Sequence, residues 1–352
     1  MKKITINTAS PLPHKASILV IYTGGTLGMS FNAQGALSPL NFEKIQERIP
    51  ELARFDYEIT VIAFEPPLDS ANISIQHWIQ IAEIIEEYYP TCDGFVVLHG
   101  TDTMAYTASA LSFLLKNLAK PVIFTGAQLP IGQARNDART NFITALEIAG
   151  SKDEKGCALV PEVCIYFDYF LWRGNRSRKV ESRHFDAFSS QNYPHLAEVG
   201  IDIQYNFSAI SPLPKKPLAV AKKMESQVGL VKIFPSMPLH FLEKILLEND
   251  LKAFVLETYG SGNAPTHEGF LKILNKAIEQ GKILLNISQC YGGMVMQGKY
   301  ETSQHLAQIG VIGGKDMTTE ASVTKLMYLL GQNLSKNELY KFLSISLRGE
   351  MS

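Results

Sequence analysis

Two features that mark common protein classes are missing from this sequence of 352 residues. Neither sign of charge predominates, because 33 lysines and arginines face 34 aspartates and glutamates. A surface for nucleic acid or for an anionic membrane is therefore disfavoured. Long hydrophobic runs are also missing, since apolar runs such as residues 253–256 and 283–285 fall far short of the roughly 20 residues that a membrane helix needs.

Cysteine and cofactor motifs are equally scarce. The four cysteines are scattered without a Cys-x-x-Cys pair, which favours inert thiols in a reducing compartment. The start, Met1 to Lys3, is basic but is followed by no continuous apolar stretch, so we expect a cytoplasmic protein. Neither a dinucleotide fingerprint nor a phosphate-binding loop occurs, and no histidines pair at metal-ligand spacing. Nicotinamide, nucleotide and metal cofactors are therefore disfavoured.

Alternating strand and helix patterns occupy most of the chain, and 46% hydrophobic residues suffice for real cores. In the first half we predict strands at 18–22, 58–64, 94–98 and 121–124, and helices at 75–88, 104–118 and 137–149. In the second half we predict strands at 229–234, 253–258 and 283–288, and helices at 239–249, 268–280, 318–330 and 337–347. This alternation favours parallel sheets covered by helices on both faces.

A change of composition divides the chain. Residues 206–228 contain Pro212, Pro214 and Pro217 and two pairs of lysines, at 215–216 and 222–223. This composition predicts an exposed linker. We therefore predict a disordered or loosely attached tail at 1–16, an N-terminal domain at 17–205 and a C-terminal domain at 229–352. The predicted fold class is α/β with two domains. The larger N-terminal one contains a flavodoxin/Rossmann-like parallel sheet, and the C-terminal one is smaller.

Three polar segments directly follow predicted strands, at residues 23–26, 99–103 and 125–128. Ligands bind beyond the carboxyl ends of parallel strands, so neighbouring strands would bring these segments to one crevice. Each segment alone has a simpler interpretation. A Gly-Gly pair is usually a tight turn, and Asp102 could cap the helix that begins near Thr103. Their predicted convergence, rather than any single segment, indicates a site.

With cofactors disfavoured, the residues of such a site that could carry out a reaction are threonine, aspartate and lysine. A threonine hydroxyl is a poor nucleophile and needs a base. Lys179, at the end of the basic run 172–179, is a candidate, although a solvated basic strand explains that run equally well. Acyl transfer would also need backbone N–H donors for the developing oxyanion. The glycine turns at Gly24-Gly25 and Gly100 could supply these donors.

Two motifs resemble the signatures of bacterial-type L-asparaginases. Residues 21–29 (IYTGGTLGM) resemble the first signature, and residues 97–111 (VLHGTDTMAYTASAL) resemble the second. Further agreement covers residues 120–122, 125–126, 173–176, 260–265 and 310–318. The resemblance runs from about Ile18 to the C-terminus and is strongest to the cytoplasmic type I branch.

This resemblance implies hydrolysis of L-asparagine to L-aspartate and ammonia by double displacement, with weak L-glutaminase activity, no cofactor and no metal. By motif, Thr26 is the nucleophile that forms an acyl-enzyme. Thr101, Asp102 and Lys179 form a second, triad-like group. In it, Lys179 is the base toward Thr101, and Asp102 orients the lysine and binds the substrate's α-amino group.

The resemblance also implies substrate-binding residues. Ser70 matches the position that binds the α-carboxylate, and Asn263 matches a residue that reaches the neighbouring protomer's site. A homodimer or homotetramer with sites near the subunit interface is therefore implied. The implied binding set is Gly25, Asp69, Ser70, Gly100, Thr101, Asp102, Ala127 and Asn263.

The sequence departs from the family pattern in two places. Many family members carry an activating tyrosine in the loop after the first threonine, whereas residues 27–41 contain none and Ala36 stands at the expected position. Some type I enzymes use an arginine for allosteric asparagine, where this chain has Glu257. A carboxylate there repels the carboxylate of an effector, so we predict hyperbolic kinetics.

Two alternatives come from other functional settings. The amidase subunit of an archaeal-type tRNA-dependent amidotransferase shares both threonine signatures. That subunit carries an extra N-terminal domain, and only about 22 residues precede Thr23 here. The balanced charge also disfavours a tRNA partner. A two-lobed amino-acid-binding protein without catalysis is the other alternative, which release of ammonia from asparagine would exclude.

Overall fold

A computed structural model of the chain describes residues 2–6, 14–31, 37–39, 49–298 and 301–352. The chain forms two compact units. The N-terminal unit comprises Met1–Ser190 and Pro194–Lys222, and the C-terminal unit comprises Gln191–Tyr193 and Lys223–Ser352. The predicted α/β class with a larger N-terminal and a smaller C-terminal body is confirmed.

A mixed sheet of nine strands forms the centre of the N-terminal unit. The strands of this unit are β1 (Lys2–Ile6), β2 (Ala16–Gly24), β3 (Met29–Phe31), β4 (Leu37–Pro39), β5 (Tyr57–Leu68), β6 (Gly94–Leu98), β7 (Leu115–Lys116), β8 (Val122–Thr125), β9 (Val163–Phe167), β10 (Phe170–Arg173), β11 (Arg178–Lys179), β12 (Phe188–Ser189), β13 (Ala197–Val199), β14 (Ile203–Tyr205) and β15 (Ala219–Val220). The order in the large sheet is β1-β5-β2-β6-β8-β9-β10-β13-β14.

The middle of this sheet is parallel, from β5 through β2, β6 and β8 to β9. Every residue of β6 is buried, as is nearly all of β2, which accounts for the continuous apolar runs in the sequence. Helices α1 (Ile75–Tyr88), α2 (Met104–Leu114) and α3 (Ala138–Gly150) cover the sheet. Helix α1 begins at a capping box in which Ser74 and His77 satisfy each other's backbone N–H groups.

Strands are parallel, as predicted, at the centre of the sheet, whereas its edge strands are antiparallel. Strand β1 pairs antiparallel with β5, although it lies inside the segment predicted to be a loose tail. At the other edge β10, β13 and β14 add antiparallel strands. Isoleucine and threonine in β1 have high β propensity, and an exposed sheet edge offers unpaired backbone groups to such a segment.

One predicted helix ends early because its last residues form a strand. The helix predicted to reach residue 118 ends at Leu114, and β7 pairs there with β15. Strand β15 lies within the predicted linker 206–228, so part of that segment is attached to the N-terminal unit by backbone hydrogen bonds. The Asn117 side chain adds a further bond to the carbonyl of Pro217, at 3.1 Å.

The C-terminal unit contains a four-stranded parallel sheet in the order β16-β17-β18-β19. Its strands are β16 (Val228–Lys232), β17 (Ala253–Thr258), β18 (Ile283–Ser288) and β19 (Ile312–Gly313), and its helices are α4 (Leu239–Leu247), α5 (Glu268–Glu279), α6 (Glu301–Gln308), α7 (Thr319–Leu330) and α8 (Lys336–Ser344). Alternate residues of β17 contribute to two different cores, Phe254 and Leu256 to one and Ala253 and Val255 to the other. The sheet is therefore buried on both faces.

Candidate active site

The three polar segments of the sequence analysis follow strands that are neighbours in the sheet. Strands β2, β6 and β8 are adjacent and parallel, with Tyr22 opposite Leu98 and Leu98 opposite Thr125. Their carboxyl ends therefore meet at one edge of the N-terminal unit. This is the convergence that the spacing of strands and polar residues predicts.

Close backbone approach joins the first two segments. Gly25 has a φ of +91°, and a Cβ atom on it would lie only 2.6 Å from the Cα atom of Gly100. A Cβ atom on Gly100 would lie 2.6 Å from the Oγ atom of Ser70. Both glycines are required because no side chain fits between these loops. Thr26 and Thr101 each directly follow one of the two glycines.

Ser70 is held against this pair by a short 3-10 helix, Ser70–Asn72. The carboxylate of Asp69 caps that helix by accepting the N–H of Ala71 at 2.9 Å. The hydroxyl of Thr103 donates to the carbonyl of Ser70 at 2.7 Å, which ties the turn to the segment after β6. Ser70 is buried, whereas Asp69 is exposed.

Lys179 makes two short polar contacts in the site. Its Nζ atom donates to the hydroxyl of Thr101 at 2.7 Å and to a carboxylate oxygen of Asp102, also at 2.7 Å. The lysine lies on β11, which pairs with β12, and its side chain is 16% exposed. The Asp102 side chain is 71% exposed, so its other oxygen is open to a ligand.

The segment after β8 contributes a residue to which the sequence analysis assigned no role. The hydroxyl of Thr101 donates to the Oε1 atom of Gln128 at 3.3 Å. Asp137, at the start of α3, accepts the backbone N–H groups of Gln128 and Leu129 at 2.9 and 3.0 Å. The preceding residue, Ala127, is buried. Gln128 belongs to the predicted post-strand segment, and that position was the available signal.

Thr26 begins a 3-10 helix, Thr26–Gly28, and is half-buried. Tyr22 holds this turn by donating its hydroxyl to the carbonyl of Gly28 at 3.0 Å. Burial raises the pKa of Tyr22 to about 12, so the tyrosine remains a donor at neutral pH. The hydroxyl of Thr23 donates to the carbonyl of Leu98 at 3.0 Å and connects the ends of β2 and β6. The sequence analysis noted that residues 27–41 lack the activating tyrosine of many family members and have Ala36 at its expected position. Ala36 lies outside the described residues, as do all of 32–36 and 40–41.

Two predicted residues belong to the C-terminal unit. Asn263 lies in a tight turn in which its backbone N–H and C=O both pair with Tyr259 at 2.9 Å. Glu257, on β17, accepts a hydrogen bond from the hydroxyl of Thr319 at 2.6 Å. The contacts described above bring together Gly25, Ser70, Gly100, Thr101, Asp102 and Lys179 in the N-terminal unit.

The described part of the chain contains no group of three or more histidine, cysteine, aspartate or glutamate side chains that could hold a metal ion. The same residues include no helix that is long and apolar enough to cross a bilayer. The polar groups described above in the N-terminal unit are hydroxyls, the exposed carboxylates of Asp69 and Asp102, the Lys179 amine, the Gln128 amide and glycine backbone. Those groups suit acyl transfer to a hydroxyl.

Two family models match the chain. The model of the asparaginase N-terminal domain matches residues 17–211, and that of the glutaminase/asparaginase C-terminal domain matches residues 227–343. The chain therefore belongs to the asparaginase family, a class of two-domain α/β proteins. The resemblance inferred from the two threonine motifs is confirmed.

Individual relatives agree with this assignment. L-asparaginase 1 of Escherichia coli K12 is 41% identical over 96% of this chain and 98% of its own. The crystal structure of L-asparaginase I from Vibrio cholerae, 39% identical, matches with a TM-score of 0.86 and covers 96% of this chain and 99% of its own. The mouse 60 kDa lysophospholipase is 42% identical over 95% of this chain, which spans 62% of the mouse protein.

Proposed function

We propose that this protein hydrolyses the side-chain amide of L-asparagine to give L-aspartate and ammonia. The observation that carries the proposal is the position of Thr101, bonded to Lys179 at 2.7 Å and adjacent in sequence to a glycine that abuts the turn carrying Thr26. In this proposal the two threonine hydroxyls, the amine and the Asp102 carboxylate act on one amide bound between the two glycine turns. The similarity to L-asparaginase 1 over nearly the whole chain supports the same reaction.

The reaction proceeds in two displacements. The hydroxyl oxygen of Thr26 attacks the amide carbon, its proton passes to the departing nitrogen, and ammonia leaves as the C–N bond breaks. This leaves an aspartyl ester on Thr26. Water then attacks the ester carbon, the ester bond breaks, and Thr26 regains its proton as L-aspartate is released. Backbone N–H groups of the glycine turns stabilise the oxyanion in both steps.

Thr101 and Lys179 form the proton-transfer group of the site. Lys179 donates to the Thr101 hydroxyl in the structure. For this role it acts as the neutral amine, whose lone pair accepts the Thr101 proton along the same contact. Asp102 holds the lysine amine in place from its other side. Because the Asp102 side chain is 71% exposed, its carboxylate can also bind the α-amino group of asparagine.

The remaining predicted residues bind the substrate. The buried Ser70 hydroxyl binds the α-carboxylate, and Asp69 adds a second acidic group near the α-amino group. Gly25, Gly100 and Ala127 line the pocket and exclude larger amides.

Asn263 contributes to the site of a neighbouring protomer in a homodimer or homotetramer. The protein acts in the cytoplasm and has a weak activity on L-glutamine.

A coupled assay of ammonia release by the purified chain tests this proposal. With L-asparagine we expect turnover at a rate typical of enzymes, about 1–1000 per second, and with L-glutamine a much smaller kcat/KM. Binding of asparagine without ammonia release would overturn the proposal and favour a binding protein. Size-exclusion chromatography with light scattering tests the oligomer, and a monomer at assay concentration would exclude it.

A further inference from the structure

A chain of three buried side chains ends directly beneath Thr101. The indole Nε1–H of Trp78, on α1, donates to the hydroxyl of Thr107 at 3.0 Å. That hydroxyl is 2.9 Å from the Nε2 atom of His99, and the Nδ1 atom of His99 is 2.7 Å from the carbonyl oxygen of Gly100. His99 is 1% exposed, so water does not compete for these contacts. The proposed reaction assigns no role to any of the three side chains.

The chemistry of the partners fixes every proton in this chain. A carbonyl oxygen only accepts, so the Nδ1 atom of His99 carries a hydrogen and donates to Gly100. Burial lowers the pKa of His99 to about 4, so the ring is neutral at pH 7 and its Nε2 atom is an acceptor. The Thr107 hydroxyl has two acceptors within reach, the Nε2 atom of His99 at 2.9 Å and the carbonyl of Thr103 at 3.4 Å, and we assign its hydrogen to the nearer one. Trp78 donates to Thr107. The chain has one direction and ends on the Gly100 carbonyl.

This carbonyl sets the orientation of the peptide that carries Thr101. In a trans peptide the C=O and the following N–H point in opposite directions. Because the Gly100 carbonyl points at the buried ring of His99, the N–H of Thr101 points away from that ring. Gly25 and Ser70 pack against the same glycine and leave little room for another backbone arrangement. A glycine without such anchors permits a peptide flip at low cost.

We propose that His99 is a positioning residue that locks the Gly100–Thr101 peptide, so that the Thr101 N–H is directed at the oxyanion formed during amide hydrolysis. The inference rests on the proposed function. His99 acts through the backbone and does not touch the substrate. Trp78 and Thr107 fix the ring tautomer that makes the donation possible.

Two substitutions of His99 separate its two nitrogen atoms. His99→Asn places an amide near the position of Nδ1 and keeps a donor for the Gly100 carbonyl. His99→Gln places its amide near the position of Nε2, where it still accepts from Thr107, and removes the donor to Gly100. Both replacements are neutral and remove an aromatic ring from the core, so a merely structural role would affect them alike.

The test measures kcat and KM for L-asparagine in both variants, with His77→Gln as a control. We expect the glutamine variant to lose at least about tenfold in kcat with KM nearly unchanged, since loss of one oxyanion donor costs about 100- to 1000-fold. The asparagine variant should remain within about threefold of wild type. Equal losses in both variants, or near-normal kcat in the glutamine variant, would overturn the inference while leaving hydrolysis by the wild type intact.

A second measurement needs no substitution. Long-range ¹H–¹⁵N spectra of the wild-type protein report which ring nitrogen of His99 is protonated, and His99→Asn supplies the assignment. Protonation at Nδ1 supports the inference even where the glutamine variant does not fold. Protonation at Nε2 contradicts it, because that tautomer cannot donate to Gly100. Absence of ammonia release by the wild type would instead reject the proposed function.

Discussion

Two lysine–carboxylate pairs with the same separation occur in very different surroundings. Lys179 and Asp102, in the N-terminal unit, are 2.7 Å apart with side chains 16% and 71% exposed. Lys325 and Glu350, in the C-terminal unit, are also 2.7 Å apart, but both side chains are 0% exposed. Distance alone therefore does not distinguish the pair that we propose to act on a ligand from a pair that is buried within the fold.

The neighbours of each pair explain the difference. Lys325 also donates to the carbonyls of Ile345 and Leu343, and Glu350 accepts the backbone N–H groups of two residues before it. Every charge there is satisfied by protein, so the pair fastens the last residues of the chain to α7. Lys179 instead donates to a threonine hydroxyl, and the side chain of its carboxylate partner is 71% exposed. The exposed carboxylate can therefore accept further hydrogen bonds from a ligand.

The largest expected effect comes from breaking the pair of Lys179 and Asp102, and it is an effect on catalysis. Lys179→Met removes the group bonded to Thr101, and we expect kcat to fall by about 1000-fold or more, as for loss of a general base with its hydroxyl partner. High pH should restore only part of this loss. Stability should change little because the Asp102 carboxylate that loses its partner is 71% exposed. Ammonia assays across pH and thermal unfolding measure both. A kcat within tenfold of wild type would remove Lys179 from the mechanism.

The matched substitution in the buried pair should have the opposite profile. Lys325→Met leaves the carboxylate of Glu350 buried without its counter-charge, which typically costs about 3–5 kcal/mol. Hydrogen exchange in α7 and α8 should accelerate, whereas kcat should be unchanged at temperatures where the protein stays folded. Unaltered exchange in these helices would contradict the assigned role. Both tryptophans lie in the N-terminal unit, so exchange is a better probe than tryptophan fluorescence.

The buried pair should also make the stability of the C-terminal unit depend on acid. Burial raises the pKa of Glu350, but the Lys325 ammonium and the backbone N–H donors outweigh burial and hold the pKa below its usual value. A lowered pKa means that the folded state binds fewer protons than the unfolded state. The stabilisation is therefore present above about pH 4.5 and is lost as the pH falls below it. The double variant Lys325→Met, Glu350→Gln should lose less stability between about pH 5 and pH 3, as followed by hydrogen exchange. An equal loss in both proteins would contradict this.

The smallest expected effect concerns a third carboxylate, that of Glu257. Glu257 accepts from the hydroxyl of Thr319 at 2.6 Å, and a negative charge there repels the carboxylate of a regulatory asparagine. We expect hyperbolic kinetics with a Hill coefficient of about 1. Initial rates over a wide range of asparagine concentration measure it. A coefficient clearly above this value would show that a regulatory site operates despite Glu257.

Much of the fold followed from hydrophobic patterns. The predicted bounds are confirmed for helix α1, which has apolar residues at helical spacing, and for β6, β17 and β18, which are short and mainly apolar runs. The antiparallel edge strands did not follow. Strands such as β13 and β14 are three residues long, and only their partners in the sheet select their conformation.

The candidate site was likewise predicted only in part from the sequence. Convergence of the three post-strand segments follows from parallel strands, and it was predicted from the residues alone. Lys179 is 78 positions from Thr101 in sequence, so its approach was implied only by family resemblance. Gln128 and His99 were noticed as neighbours of the motif without a role. Their importance depends on which atom meets which partner, and sequence spacing does not encode that geometry.

The central claim is that the hydroxyls of Thr26 and Thr101 act on one amide. The most direct measurement is the rate of ammonia release from saturating L-asparagine by Thr26→Ala and Thr101→Ala, beside Thr91→Ala at an exposed threonine as control. We expect each of the first two variants to lose about 1000-fold or more in kcat with unfolding temperatures close to wild type, and the control to be fully active. Near-normal turnover by either variant would contradict the account.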